Sequence, residues 1–499
     1  MTFIHLDKPL DWSQIAEIAR GDSRPRMSPA AKARLDSANA LVRQIVAKAI
    51  PAYGISTGVG ALSDTVIPSS EQSALSRNIL MSHAVGIGAP LGAQETRAII
   101  AAAINNYAHG FSGLTPAIVE RLVLLLDHDC LPDIPRKGSV GYLSHMAHIG
   151  LVLIGHGHAR LGGERLSGAD ALARLGLAPL ALAAKDGLCL VNGTPCATGL
   201  ASLAMARSRR LLDWADAIAA MSFEALRCQV SAIAAPAIGL RVSSGLHEVA
   251  ARLRTYLDGS PILAAAEGRR VQDALSLRAI PHVHGAVRDS WGAASQVVDQ
   301  ELRSVTDNPA VAGTPDSPEV YSEAHAVGAA LSLAMDQLAI GMAQLGSISE
   351  RRLDRLVNPL VSGLPPFLAA PGGVASGFMI AQYAAASLVA ENRQFSAPAS
   401  LGGGITSGLQ EDMLCHATPA ALKALDLLDN VRDILAIEFL AAAQAYDLME
   451  ASPAPRTGAL RARLRQAIAP YADDRPLAED IAGAAALIEQ NDPAELSAR

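Results

Sequence analysis

Aromatic and charged side chains are scarce in this chain of 499 residues. Phe, Trp and Tyr together make up 4% of the sequence, and Asp, Glu, Lys and Arg make up 18%. Runs of β-branched residues are rare as well. Alanine and leucine dominate instead, and these side chains lose little rotamer freedom in a helix. The composition therefore argues against a β-rich protein and predicts a mainly α-helical fold.

Clusters of positive charge are also missing. The chain has 41 Lys and Arg against 48 Asp and Glu, which gives a net charge of −7, and no basic run or basic-aromatic interleaving occurs. A nucleic-acid partner would require a basic surface. We therefore expect no nucleic acid and a small-molecule substrate.

Cysteine is sparse, and its spacing matches no disulfide framework or Cys-x-x-Cys motif. The five cysteines are scattered along the chain: Cys130, Cys189, Cys196, Cys228 and Cys415. An odd, scattered set predicts reduced thiols. The N-terminal stretch carries charges where a secretory signal peptide needs an apolar run. Together these features predict a cytoplasmic protein.

One long uncharged run, residues 367–390, has the length of a membrane span. It contains Pro371 and several glycines, however, and its periodic part after Phe378 is too short to cross a bilayer. We therefore expect no membrane contact and predict a buried core helix here.

Apolar residues, by contrast, are abundant at half of the sequence. This excess predicts a large interface between subunits, because a monomer of this size has too little interior to hide it. Length alone would suggest about three domains of roughly 150 residues each. The patterns favour an N-terminal helical region with active-site loops, residues 1–197, and a central long-helix bundle with the C-terminal region, residues 198–499.

The clearest helix signal starts at Ser28. Ser28 followed by Pro29 is an N-cap with proline at the first helical position. Apolar residues of one face then follow at helical spacing: Leu35, Leu41, Val42, Ile45 and Val46. Further patterns with the lengths of bundle helices cover residues 93–109, 116–128, 199–227, 328–356, 374–392 and 419–448.

Two glycine-rich strings invite a nucleotide-binding interpretation that their spacing does not support. GGGITSG at residues 402–408 lacks the lysine of a phosphate-binding loop, and YGISTGVG at residues 53–60 lacks the glycine spacing of a dinucleotide site. Turn geometry is the favoured explanation. Such loops can also bring backbone close to a ligand.

The thirteen histidines raise the question of a metal. His145 and His148 would share a helix face, but the His-x-His pairs at 156–158 and 282–284 would not. No glutamate is placed as in His-Glu-x-x-His. We expect no metal site.

Many unusual strings occur together from about Tyr53 to Leu448. In chain order they are YGISTGVG, MSHAVGIGAP, GFSGL, IPRKGSVG, LAAKDGLCLVNGT, VQDALSLR, VTDNP, GSISERR, LPPFL, SGFMIAQ, LQED and LAIEFL. In content and order they resemble the aromatic amino acid ammonia-lyases, the family of histidine and phenylalanine ammonia-lyase. The resemblance is strongest to histidine ammonia-lyase.

The resemblance implies a long-helix bundle of the histidine ammonia-lyase and fumarase–aspartase type. It also implies a homotetramer in which each active site draws on more than one subunit. Such enzymes are carbon–nitrogen lyases, which remove the amino group and a β-hydrogen from an aromatic amino acid and leave an acrylate. For histidine the product is urocanate.

By the same resemblance, Tyr53 matches the tyrosine taken as the base for the β-hydrogen. A free tyrosine has a pKa of about 10, so this role would need nearby positive charge to lower the pKa. His83 in MSHAVG and Glu411 in LQED match the pair that holds an imidazole ring in histidine-specific members, and we place Glu411 with Tyr53 among the catalytic residues. Retention of both His83 and Glu411 favours an imidazole substrate over a phenyl one.

Further substrate-binding residues follow from the resemblance. Arg278 matches the arginine that grips the substrate carboxylate, a task suited to the planar guanidinium, although a structural ion pair is the alternative. Asn192 matches an asparagine that lines the site, and it could equally fix its own loop. Gln272 and Leu275 lie in the same string as Arg278 and are expected at the substrate, with Leu275 as an apolar wall where the family has a tyrosine.

The sequence departs from the family directly after GSVG. There the family continues with Ala-Ser-Gly-Asp-Leu, and the Ala-Ser-Gly cyclises into methylidene-imidazolone, an electrophile that activates the amine or ring. Here Gly141 is followed at once by Tyr142, which stands where the family has its aspartate. We interpret Gly141 and Tyr142 as the remnant of the electrophile loop and expect no cofactor.

This departure bears on the leaving group. A quaternary trimethylammonium is positively charged at every pH and departs as neutral trimethylamine, so a base and a carboxylate clamp would suffice. We expect elimination of trimethylamine from ergothioneine or a related histidine betaine, as in the ergothionases, relatives that dispense with the electrophile.

Two alternatives stay open. One is an ordinary histidine ammonia-lyase, converting histidine to urocanate and ammonia, whose triad is missing from the recorded sequence. The other is a catalytically degenerate family member that acts as a binding subunit. The retained base and substrate-binding groups argue against the second alternative.

Overall fold

The computed structural model describes residues 2–369 and 373–498. Helices dominate, as the composition predicts. In chain order they are α1 Trp12–Arg20, α2 Pro29–Ala47, α3 Gln72–His83, α4 Ala93–Ala108, α5 Pro116–Asp127, α6 Ser144–Leu153, α7 Gly168–Arg174, α8 Asp186–Val191, α9 Pro195–Ala225, α10 Ala235–Ile238, α11 Ser244–Leu257, α12 Pro261–Ala266, α13 Leu275–Arg278, α14 Ile280–Leu302, α15 Ala329–Val357, α16 Pro359–Ser362, α17 Met379–Phe395, α18 Ala417–Asp447, α19 Pro455–Arg465, α20 Leu477–Gln490 and α21 Pro493–Ser497.

The strands are short, of two to four residues each. They are β1 Thr2–His5, β2 Ser23–Arg26, β3 Ile87–Pro90, β4 Leu131–Pro132, β5 Pro135–Lys137, β6 His158–Leu161, β7 Glu164–Ser167, β8 Ala310–Gly313 and β9 Pro318–Tyr321. Strand β1 pairs in parallel with β2, whereas β3–β5, β4–β6–β7 and β8–β9 are antiparallel. The mainly α prediction is confirmed.

Helix α2 begins where the sequence predicts. The Ser28 hydroxyl oxygen accepts a hydrogen bond from the Ala31 N–H at 3.1 Å, with Pro29 in the first turn. A cap of this kind contributes about 1 kcal/mol. The buried face of the helix packs with the loop that follows it in one apolar cluster: Ala38, Leu41, Val42, Ile45, Ala52, Ile55 and Val311. This cluster fixes the start of the YGISTGVG loop.

The other predicted helices are confirmed to within a few residues, with one exception. The pattern over residues 374–392 is a helix only from Met379. Gly377, just before it, has a left-handed φ of +54°, and its N–H donates to the Asp474 carboxylate at 3.0 Å. A partner 97 residues away therefore delays the start of this helix.

Helix α17 also corrects an expectation about burial. Ala381, Ala385 and Val389 are buried, but Ile380 is 61% and Tyr383 is 68% exposed in the single chain. The helix is therefore covered on one face only, and the predicted buried core helix is wrong for this chain alone. Residues 370–372 of the uncharged run lie outside the described part of the chain.

A different segment, Asp186–Ala225, which comprises α8 and α9, has the length and hydropathy of a membrane span. Its apolar window lies wholly inside the protein. All five cysteines are unpaired and buried, as the reduced-thiol prediction requires.

The described residues divide into two compact units. The first contains residues 2–206, 294–336 and 398–422, and the second contains the remaining described residues. The first boundary lies close to the predicted division between residues 197 and 198, and that division stays a prediction. The first unit gathers all of the loops that matter for the site described next.

Candidate active site

A cavity of about 680 Å³ lies in the first unit. Its walls come from segments that are far apart in sequence: the end of α3, helix α8, the loops after α2, β5, α8, α14 and β9, and the loop before α18. Five of the residues predicted from sequence line it: Tyr53, His83, Tyr142, Asn192 and Glu411. The structure thus brings the proposed base and the proposed imidazole-binding pair to one place.

The YGISTGVG loop that carries Tyr53 is closed by its own side chains. The Ser56 hydroxyl donates to the Ile50 carbonyl at 2.7 Å and accepts from the Ala52 N–H at 2.9 Å. The Thr57 hydroxyl oxygen accepts from the Gly54 N–H at 3.3 Å. The serine and threonine of this string therefore hold the loop in shape and leave the Tyr53 ring to face the cavity.

Gly60 is the hydrogen-bond partner of the Tyr53 phenol among the residues that the structure describes. The Gly60 N–H donates to the Tyr53 phenol oxygen at 2.9 Å. Gly60 has a φ of +57°, and a Cβ at this position would collide with the Ser407 hydroxyl. Glycine is required here because the two glycine-rich loops of the sequence meet at this point.

The electrostatics at Tyr53 differ from the expectation. Burial raises the pKa of Tyr53, the hydrogen bond from Gly60 lowers it in part, and the negative charge of Glu411 raises it further. None of the described residues that line the cavity is a lysine or an arginine, whereas Glu323, Glu411 and Asp412 all lie on its wall. The positive charge expected to lower the pKa of Tyr53 is therefore not supplied by this cavity wall.

Tyr142 lies against Glu411. Its hydroxyl donates to Glu411 Oε2 at 2.6 Å. Burial raises the pKa of Tyr142 strongly, and the hydrogen bond to Glu411 raises it further, so this phenol stays protonated. Glu411 itself is anchored by its backbone, whose N–H and carbonyl both pair with Thr406.

His83 is the last residue of α3, and its imidazole contacts the neighbouring Ser82 side chain. The Ser82 hydroxyl lies 3.0 Å from its Nδ1. Burial lowers the pKa of His83, and a hydrogen bond with the Ile79 carbonyl offsets this in part. The ring is therefore neutral near pH 7 and can accept or donate one hydrogen bond toward the cavity.

Asn192 caps the C-terminal end of α8, but its amide is already engaged. Its Nδ2 donates to Asp307 and to the Asn308 carbonyl, and its Oδ1 accepts from the Gly193 N–H at 2.9 Å. The loop-fixing alternative fits these contacts better than direct substrate binding does.

Beneath Asn192 lies a buried ion pair that sequence reasoning did not single out. Lys185 Nζ is 3.2 Å from Asp307, and both side chains are at most 1% exposed. Burial alone would lower the pKa of Lys185, but Asp307 and Cys189 raise it above its ordinary value. The sequence does contain a signal for this ion pair. Lys185 lies in the string LAAKDG and Asp307 lies in the string VTDNP, so each string places a charged residue among mostly apolar neighbours.

Four predicted residues do not line this cavity: Gly141, which lies just before the lining residue Tyr142, and three residues of the second unit. Gln272, Leu275 and Arg278 belong to the second unit, on or beside α13. The Arg278 guanidinium donates to the Asp273 carbonyl at 2.8 Å and, with the Gln272 amide suitably turned, to its oxygen. Leu275 is 64% exposed. Residues that do line the cavity but were missed include Asn308, Glu323 and Gln410.

Among the described residues, no group of three or more histidine, cysteine or acidic side chains is arranged to hold a metal ion.

Comparison with known proteins identifies the family. The model of the family described as aromatic amino acid lyase matches residues 10–466. The chain belongs to the aromatic amino acid lyase family. A histidine ammonia-lyase of Symbiobacterium thermophilum is 42% identical over 496 residues, which covers 99% of this chain and 97% of that one. A histidine ammonia-lyase of Treponema denticola is 40% identical and is covered to 95%.

Solved structures agree across nearly the whole chain. Histidine ammonia-lyase from Trypanosoma cruzi superposes with a TM-score of 0.93 at 33% identity, covering 100% of this chain and 95% of that one. Tyrosine aminomutase from Streptomyces globisporus gives 0.94 at 32%, with coverage of 99% and 98%. Ergothionase from Treponema denticola, in complex with desmethyl-ergothioneine sulfonic acid, gives 0.91 at 25%, with coverage of 98% of each chain. This aromatic amino acid lyase is therefore a carbon–nitrogen lyase with the ammonia-lyase fold.

The family makes its own prosthetic group, methylidene-imidazolone, and does not use an external cofactor. The residues after Gly141 do not fit that group, because Tyr142 follows directly. Ala-Ser-Gly occurs only at residues 375–377, in the second unit. There the N–H groups of Ser376 and Gly377 donate to Asp474 at 2.7 and 3.0 Å. The loop that would carry the group in other members instead carries a phenol.

Proposed function

We propose that this lyase eliminates trimethylamine from ergothioneine or a related histidine betaine and leaves a urocanate-type acrylate. The observation that carries the proposal is the chemistry of the cavity wall. A candidate base, Tyr53, and a candidate imidazole-binding pair, His83 and Glu411, share one cavity, and the loop at Gly141–Tyr142 offers no tripeptide from which an electrophile could form.

The reaction balances without an electrophile. The Tyr53 phenolate takes one proton from Cβ, and the C–H electron pair becomes the second bond between Cα and Cβ. The Cα–N bond breaks, and its electron pair stays on nitrogen, so that trimethylamine leaves as a neutral molecule. A quaternary ammonium has no N–H proton to lose, so it is always in the cationic form that departs as a neutral amine, and it needs no electrophile to reach that form.

The charge of the cavity supports a cationic substrate. Its wall holds Glu323, Glu411 and Asp412, and none of the described lining residues is a lysine or an arginine. A fixed positive charge beside Tyr53 would favour the phenolate, which opposes the effects of burial and of Glu411 on its pKa. The Gly60 N–H donates to the same oxygen and stabilises the phenolate as well. The substrate itself would thus supply the cation that the wall lacks.

The substrate carboxylate needs a partner that this cavity does not contain. We propose that Arg278 of a second subunit supplies it, in a homotetramer with shared active sites. Leu275 is exposed beside it, and Gln272 accepts from the guanidinium and fixes its direction. The exposed apolar residues of α17, such as Ile380 and Tyr383, support burial of this unit against other subunits.

Ordinary histidine ammonia-lyase is the second candidate. The names of the relatives at 42% and 41% identity favour it. This reaction requires the electrophile. The mature protein would therefore have to contain additional residues between Gly141 and Tyr142, which are adjacent in this sequence. Intact mass and near-ultraviolet absorbance of the purified protein separate the two candidates before any turnover is measured.

The test of function offers histidine, hercynine, ergothioneine, phenylalanine and tyrosine in turn to the purified protein. Acrylate formation is followed by absorbance, and the released amine is identified as ammonia or trimethylamine. We expect trimethylamine from a histidine betaine and no ammonia from histidine. Release of ammonia from histidine, with both betaines untouched, overturns the proposal. No turnover of any substrate by a folded protein would favour the binding-subunit alternative.

A further inference from the structure

The hydrogen bond between Tyr142 and Glu411 joins the shortened loop to the imidazole-binding pair. The two residues lie 269 positions apart in sequence, and the donor–acceptor distance is 2.6 Å. A hydroxyl that donates to a carboxylate at this distance makes a charge-assisted bond, which is about twice as strong as a neutral one. Such a bond fixes the direction of the carboxylate and does not merely fill space.

The loop holds Tyr142 in place by its backbone. The Ser139 hydroxyl donates to the Tyr142 carbonyl at 2.9 Å, and the Gly141 N–H donates to the Ser139 hydroxyl oxygen at 3.1 Å. Leu143 has a φ of +72°, and its N–H donates to the Val191 carbonyl at 2.8 Å. These contacts hold the loop in a closed conformation with the residues that it has. They direct the Tyr142 phenol toward the cavity, which Tyr142 lines.

The hydrogen bond leaves Glu411 with one available oxygen. Its Oε2 accepts from Tyr142, and no described side chain donates to its Oε1. Because burial and Glu411 both raise the pKa of Tyr142, the phenol remains the donor across the usual pH range. The second carboxylate oxygen is therefore the one left to accept a ring N–H from a bound ligand.

We propose that Tyr142 is a positioning residue that orients Glu411 for recognition of an imidazole ring. The inference rests on the part of the proposed function that seats an imidazole against Glu411. Tyr142 would act through Glu411 and not by contact with the reacting carbons. Tyr142, which stands directly after Gly141 where the family has its electrophile-forming tripeptide, would thereby help to determine which ring the cavity accepts.

The experiment is a double-mutant cycle on ligand affinity with the full-length protein. Urocanate, an imidazole acrylate that needs no turnover to bind, is titrated into wild type, Tyr142→Phe, Glu411→Ala and the double variant. We expect Tyr142→Phe to raise the Kd about tenfold, as loss of one hydrogen bond to a charged group does. In the Glu411→Ala background the same change should have no further effect.

Tyr446→Phe is the matched control. The Tyr446 hydroxyl donates to Glu224 at 2.6 Å in the second unit, so this variant loses an equivalent phenol–carboxylate bond between two residues that do not line the cavity. Its urocanate affinity should equal that of wild type. Tyr142→Met removes the same hydroxyl and replaces Tyr142→Phe in the cycle if the phenylalanine variant does not fold.

The affinity cycle and the trimethylamine assay test the role of Tyr142 and the leaving group independently. An unchanged Kd in Tyr142→Phe, or an equal loss in both backgrounds, overturns the positioning role, and so does the failure of wild type to bind urocanate. Non-additive losses support it. Trimethylamine release is measured separately, so an intact cycle in a protein that leaves every betaine unchanged refutes the proposed leaving group while the role of Tyr142 stands.

Discussion

Replacing Tyr53 with phenylalanine removes the proposed base and leaves the ring that lines the cavity. Within the described part of the chain, the phenol oxygen accepts one hydrogen bond, from the Gly60 N–H at 2.9 Å. Loss of that bond should lower stability by only about 0.5–1.5 kcal/mol. Loss of general-base catalysis should lower kcat by about 10²–10⁴-fold, which corresponds to about 3–5.5 kcal/mol in the activation barrier. The two effects differ enough in size to be told apart.

The assay for Tyr53→Phe is the initial rate of trimethylamine release, measured with urocanate affinity and the melting midpoint of the same preparation. We expect a large fall in kcat, near-normal urocanate binding and a small change in the midpoint. Tyr107→Phe is the control, because its buried hydroxyl donates to the Cys189 carbonyl at 2.9 Å and lies outside the cavity wall. A folded Tyr53→Phe protein that keeps more than about one tenth of wild-type kcat would show that another group takes the β-proton.

Because burial and Glu411 raise the pKa of Tyr53 and the phenolate is the reactive form, kcat/KM should climb with pH through the range 7 to 9; a flat profile there excludes Tyr53 as the base. Tyr53→Phe and Arg278→Ala proteins should each be inactive alone, but about a quarter of the active sites should be intact when the two kinds of subunit are co-assembled, because each site would then draw the two residues from different subunits. If co-assembly restores no activity, the active sites are not shared in this way. Lys185→Met should lower the free energy of unfolding in urea by about 3–5 kcal/mol, because Asp307 is left buried without its cation; a change below about 1 kcal/mol contradicts this.

Local signals predicted the fold well. Ser28 and Pro29 set the start of α2 because the N-cap interaction involves only residues within one turn. The long helices were likewise visible as sustained apolar patterns. The start of α17 was missed because Gly377 is held by Asp474, and no local pattern reports a partner so far along the chain. Its exposed face was missed because composition cannot say which apolar residues the single chain leaves uncovered.

The site was less accessible to sequence reasoning. Tyr53, His83 and Glu411 came from the family resemblance, since no spacing rule links loops more than 300 residues apart. The contact between Tyr142 and Glu411 had no sequence signal beyond the departure from the family directly after the GSVG string. Asn192 illustrates the opposite problem: the resemblance pointed to the substrate, but its amide bonds to Asp307, Asn308 and Gly193, and only the three-dimensional contacts reveal this.

The direct succession of Gly141 and Tyr142 and the acidity of the cavity wall favour the same kind of substrate. A primary ammonium group near Glu323 and Asp412 would donate hydrogen bonds to these carboxylates, which would stabilise the bound substrate more than the transition state and so would not help the amine to leave. A trimethylammonium group has no N–H to donate. It experiences the carboxylates only through its charge, and that charge disappears as the Cα–N bond breaks. In such a site, histidine would bind at least as tightly as its betaine, because it shares the imidazole contacts of His83 and Glu411 and adds hydrogen bonds from its ammonium group, and discrimination in favour of the betaine would arise in kcat.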